Sequence, residues 1–143
     1  MKSSLLNIIS GLLCLCTGNL VMAQTASGTV DIEKVKTVAR NYCLKTEKKY
    51  AKATADDINL TLVETKKSDD AVLYYIFDIG YHGNDGKGDG YIIMSASYDQ
   101  PPVIGYIPEG RYDAARAAMN TAFTDWMNSF ADQIEYSIKK KKK

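Results

Sequence analysis

The spacing of apolar residues changes period along the chain, and each change marks an element. An apolar run over residues 5–20 gives way to a polar lead over 24–29. Ile32, Val35, Val38, Ala39 and Tyr42 then recur at helical steps behind Asp31, a residue type whose side-chain oxygen caps helix N-termini. Val30 and Val35 are spaced as a hydrophobic staple across that cap. The charged segment 45–52 ends the pattern, and residues 54–57 read as a connector. From Ile58 the period becomes two: Ile58, Leu60 and Leu62 alternate with Asn59, Thr61 and Val63, as in a half-buried strand.

Residues 66–70 form a charged turn, after which 72–79 is dense in β-branched and aromatic residues and predicts a central strand. Residues 80–89 are glycine-rich, and the apolar run 90–96 behind them predicts a second strand, so the two make an antiparallel hairpin with a long tip. Pro101 and Pro102 precede a short edge strand at 103–106, which Pro108-Glu109-Gly110 ends. Phe123, Trp126, Met127, Phe130, Ile134 and Ile138 then fall at steps of three or four and give a closing helix the widest apolar stripe in the chain. The order helix, strands, helix predicts an α+β domain: an antiparallel sheet of about four strands packed against an N-terminal and a C-terminal helix.

The leader changes how the rest is counted. Lys2, the apolar run and Val21-Met22-Ala23 have the form of a signal peptide cleaved before Gln24, and Asn7, Ser10 and Asn19 make the run too polar to persist as a span. Leu13 and Leu15 stand before Cys14 and Cys16 where a lipoprotein signal places a small residue, so no lipid anchor is expected. The expected product is secreted or periplasmic. Removing 23 of the 143 residues leaves 120, enough for one domain, which we place at residues 24–138 with a basic tail at 139–143. Of its cysteines only Cys43 remains, so no internal disulfide staples the core. The tail holds five lysines, and without it the body carries 12 basic against 17 acidic residues, a balance unsuited to nucleic acid. On the closing helix the tail complements the C-terminal dipole.

Chemistry is scarce. A nucleophilic dyad would need Cys43 beside His82, the one histidine, yet Cys43 lies near the end of a helix and His82 in the glycine-rich tip. A lone cysteine in that setting is a small buried hydrophobe. Residues 84–90 supply oxygen ligands and glycines, but read as a calcium loop from Asp85 they place Lys87 at the third position and Ala96 at the twelfth, which defeats it. The same glycines join two strands rather than a strand and a helix, so they make no phosphate loop. No catalytic residue, metal or cofactor is expected. Of the ten tyrosines, Tyr74, Tyr75 and Tyr91 fit cross-strand packing, whereas Tyr106 and Tyr112 flank a Pro/Gly turn and suit a protein contact.

Tyr74-Tyr75-Ile76-Phe77-Asp78 is followed in order by Gly90-Tyr91-Ile92-Ile93-Met94-Ser95-Ala96, Pro102-Val103-Ile104-Gly105-Tyr106 and Glu109-Gly110-Arg111-Tyr112-Asp113. With Ala55-Asp56-Asp57-Ile58 ahead of them and Trp126-Met127 and Asp132-Gln133-Ile134 behind, they give a chain that resembles the inhibitory prodomain of streptopain-type cysteine peptidases and the Spi-like inhibitors. The resemblance covers nearly all of the expected mature chain. It implies a free-standing inhibitor that docks on a papain-fold peptidase and blocks or distorts its Cys-His centre, without chemistry of its own. It also implies a blocking asparagine just before the closing helix, for which Asn120 is the nearest candidate, with Tyr106, Tyr112 and Asp113 as contact residues. Two departures are the longer tip at 80–89 and a small insertion at 114–121. The alternative is a cell-envelope module of small α+β shape that binds a peptide or a glycan.

Overall fold

The fold is organised by the strand with two apolar faces. A computed structural model describes residues 28–69, 71–81 and 88–141. The expected leader, His82, residues 84–87 of the tip, Lys142 and Lys143 lie outside the described residues. The elements are α1 (Ile32–Thr46), β1 (Ile58–Ser68), β2 (Ala71–Tyr81), β3 (Tyr91–Ser95), β4 (Val103–Ile107), α2 (Ala114–Met119) and α3 (Thr121–Lys141), with short 3₁₀ turns at Lys48–Tyr50 and Ala55–Asp57. The strands form one antiparallel sheet in the order β1-β2-β3-β4.

Alternation sends Tyr75, Phe77 and Ile79 of β2 to one face with Ile92 and Met94 of β3, where Val35, Ala39 and Cys43 of α1 cover them. Tyr74 and Ile76 of β2 and Ile93 of β3 face the other way, against Met127, Ala131, Ile134 and Ile138 of α3. The sheet is therefore the middle of three layers, because β2 and β3 have no polar face to turn to water. Asp31 caps α1 as expected, its side chain accepting from Glu33 N at 2.9 Å, and Val30 packs into the same cluster as Val35. The helix α3 runs on through Lys141, with Lys139 paired to Glu135 and Lys141 to Asp99.

Several details differ from the periodicity. Residues 66–68 pair with β2 rather than turning, and the turn itself holds Asp69 at φ 49°. Register shifts leave Val63 and Leu73 without opposite partners. At the first, the strand leaves the α1 core, so Leu62 is 42% exposed where alternation predicts burial. At the second, Leu73 joins Tyr74 in the α3 cluster despite being its neighbour in sequence. Inside the charged segment 45–52, Tyr50 is fully buried. The insertion at 114–121 is the short helix α2 plus the start of α3. At the β4 edge, a Cβ on Gly105 would lie 3.1 Å from the Trp126 indole, so the glycine lets α3 close over the strand.

Candidate functional site

The one candidate nucleophile is disarmed by its position. Cys43 projects from the inner face of α1, fully buried, and burial pushes its thiol up to about 11. Such a thiol is protonated at neutral pH and has no access to a substrate. Among the described residues no three His, Cys, Asp or Glu side chains converge to hold a metal. The core phenols behave alike: burial pushes Tyr74 up to about 12, and raises Tyr50, Tyr106 and Tyr112 well above the ordinary value of 10.0.

A pH dependence follows from these groups. The folded state holds their protons more tightly than the unfolded chain, whose cysteine and tyrosines ionise near 9.0 and 10.0. Their stabilisation is whole below about pH 8 and declines as the pH rises through 9.0 and 10.0 toward about 12. Urea midpoints measured at pH 7, 8 and 10.5 are expected to be nearly level between the first two and lower at the third.

What the fold does build is a braced turn leading to an exposed corner. Gly90 donates to the Gly110 carbonyl at 2.9 Å, and Gly110 donates to the Gly88 carbonyl at 3.0 Å. The Lys49 ammonium reaches across from its 3₁₀ turn to the carbonyls of Asp89 (2.8 Å) and Pro108 (2.5 Å). Asp89, itself buried, accepts from Tyr81 N at 2.8 Å. These bonds tie the end of β4 to the base of the hairpin.

Beyond the turn, Tyr112 is held at both ends. Its backbone N–H donates to Asp78 Oδ1 at 2.8 Å, its hydroxyl donates to Glu64 Oε2 at 2.6 Å, and its ring meets Tyr91 edge-on at 5.4 Å. Asp113 caps α2 by accepting from Arg116 N at 3.0 Å. Asn120 ends α2 in an extended conformation and caps α3, its side-chain oxygen accepting from Phe123 N at 3.1 Å. Tyr112, Asp113 and Asn120 line one shallow groove of about 340 Å³ together with Arg116 and Phe123.

Tyr106 does not join them. It lies on the α1 face of the sheet, edge-on to Tyr42 at 5.7 Å, with its hydroxyl buried and without a hydrogen bond of good geometry. Tyr112 belongs to the α3 face. The two tyrosines expected to act together are thus on opposite sides of β4, and Tyr106 has no hydroxyl to offer a partner.

Several positioning residues escaped the sequence reading. Asp78 carried a signal, since a carboxylate in a strand with two apolar faces needs a partner, here Tyr112 N. Glu64 and Lys49 carried none, because their bonds join segments 48 and 59 residues apart.

The sequence profile of the Spi protease inhibitor family matches residues 27–134. The chain is also 30% identical over 124 residues to the thiol protease/hemagglutinin PrtT of Porphyromonas gingivalis, spanning 87% of this chain and 13% of that relative. No solved structure matches.

Proposed function

The chain belongs to the Spi protease inhibitor family, and on that premise we propose that it is an exported inhibitor of a streptopain-like cysteine peptidase that works by occlusion. Residues 1–23 direct export and are removed, and residues 24–138 form the inhibitory domain. The observation that carries the reading is the family match over 27–134, most of the described chain. The inaccessible, protonated Cys43 supports a non-catalytic role. Among the described residues no helix is long and apolar enough to cross a membrane.

The groove beside α2 is where the peptidase docks. Asn120 is the blocking residue, Asp113 and Tyr112 line its approach, and Tyr106 supports the strand beneath. With its oxygen engaged by Phe123 N, the Asn120 amide nitrogen keeps two donor hydrogens for the peptidase centre. The protein without residues 1–23, mixed with candidate cysteine peptidases, is expected to abolish peptide hydrolysis at micromolar concentration or below. Unchanged hydrolysis by every one would overturn the reading.

Two variants separate blocking from capping. Asn120→Ala removes both functions and is expected to cost about 1 kcal/mol of stability. In saturated complexes it leaves residual turnover, because most of the interface persists. Asn120→Asp keeps a good cap but loses the amide donors, so it retains stability and shows the same residual turnover. Fully silent saturated complexes of both variants would remove Asn120 from the blocking role.

A further inference from the structure

The corner between α2 and α3 presents an apolar side chain that nothing in the fold uses. Residues 118–122 are all exposed, five in succession. Within them Met119 is 79% exposed, the highest value among the large apolar side chains of the described residues. Single exposed apolar residues are common on protein surfaces and by themselves mean little. Here the surroundings differ in three ways.

First, α2 is otherwise built from alanines and one arginine, so Met119 is the only large apolar side chain on it. Secondly, the corner is rigidly held. Asp113 Oδ1 accepts from Arg116 N, Asn120 N donates to Ala117 O at 3.1 Å, Thr124 N donates to Asn120 O at 2.9 Å, and Thr124 Oγ1 donates to Ala117 O at 3.3 Å. A side chain presented on a frame already bonded in this way loses little entropy when it docks. Thirdly, Met119 immediately precedes Asn120, which lines the groove proposed to receive the peptidase.

We propose that Met119 is the anchor that sets affinity and target choice, entering an apolar substrate pocket of the cysteine peptidase next to the groups that Asn120 engages. The inference rests on the inhibitory reading above and adds to it a division of labour: Met119 supplies binding, Asn120 supplies the block. An unbranched thioether with three rotatable bonds adapts to pockets of differing shape, which suits an inhibitor that meets peptidases with an apolar preference. A peptidase whose pocket is lined by charge would be refused.

The test is a titration of one inhibited peptidase with wild type, Met119→Ala, Met119→Leu and Met119→Asp, with Tyr136→Ala as a control at another highly exposed position on α3. Circular dichroism and urea midpoints are expected to match wild type for all four variants, because neither Met119 nor Tyr136 packs into either core. Met119→Ala is expected to raise Ki by about 10- to 100-fold and Met119→Asp by more, with turnover in the saturated complex still at zero. Met119→Leu, which nearly conserves volume, and Tyr136→Ala stay within about threefold of wild type. If wild type inhibits and Met119→Ala inhibits equally well, the anchor is elsewhere and only this inference falls. If wild type inhibits no peptidase, the inhibitory reading falls and takes the anchor with it.

Discussion

Phe77→Ala is expected to lower the unfolding free energy by about 3–5 kcal/mol, read as a fall in urea midpoint with little change in slope. Phe77 is fully buried at the centre of β2, where its ring lies 5.9 Å from Tyr75 and faces the inner side of α1. The strand cannot move to fill the space, since β1 and β3 hold it on both sides and α3 packs on its far face. Small domains have about 5–15 kcal/mol in total, so this one truncation removes a large part of it. Cys43, the free cysteine of the described residues, provides no covalent compensation. The corner proposed to block the peptidase lies on the other side of the sheet, so each molecule still folded is expected to inhibit as wild type does. A shift below about 1 kcal/mol would mean that α1 slides inward to refill the site.

The layered fold was legible because its signals are local. The alternation and β-branched density of 72–79 and 90–96 identified β2 and β3, the cap at Asp31 set the start of α1, and the stripe from Phe123 to Ile138 identified α3. The bulges were not legible: Val63 breaks the alternation by following Leu62 as a second apolar residue, but that break alone does not say which residue the register leaves unpaired. Tyr50 was hidden by the lysines around it, whose charge set the reading of the whole segment although one side chain points inward. The arrangement of the candidate residues was half legible. Asn120, Tyr112 and Asp113 do share a groove. Tyr106 and Tyr112 were grouped by nearness in sequence, yet the turn at Gly110 resets which face a residue takes, so parity along β4 carries no information past it. Met119 stood out only once the exposure of the corner was known.

Gly90→Ala is expected to cost about 2–4 kcal/mol and, unlike Phe77→Ala, to weaken inhibition by the molecules that remain folded. Gly90 sits at φ +104°, a conformation that a side chain resists, and a Cβ there would fall 1.9 Å from the Ile107 carbonyl oxygen and 2.8 Å from the Pro108 carbonyl carbon. Both obstacles are backbone, so no rotamer change relieves them. The chain must instead push β4 away, stretching the Gly90 to Gly110 bond and the Lys49 clamp on the Pro108 carbonyl. Those bonds brace the turn that delivers Tyr112 and Asp113 to the groove, so the shift passes from the hairpin base to the proposed docking face. Gly110→Ala provides the comparison: its φ is +82°, but nothing lies within 4 Å of the added Cβ, so it pays only the conformational cost of about 1–2 kcal/mol. Urea midpoints should therefore rank wild type above Gly110→Ala and Gly110→Ala above Gly90→Ala. Ki, corrected for folded fraction, should rise clearly for Gly90→Ala alone. Equal midpoints for the two alanine variants would show that β4 yields without resistance, and the turn would then not be a brace.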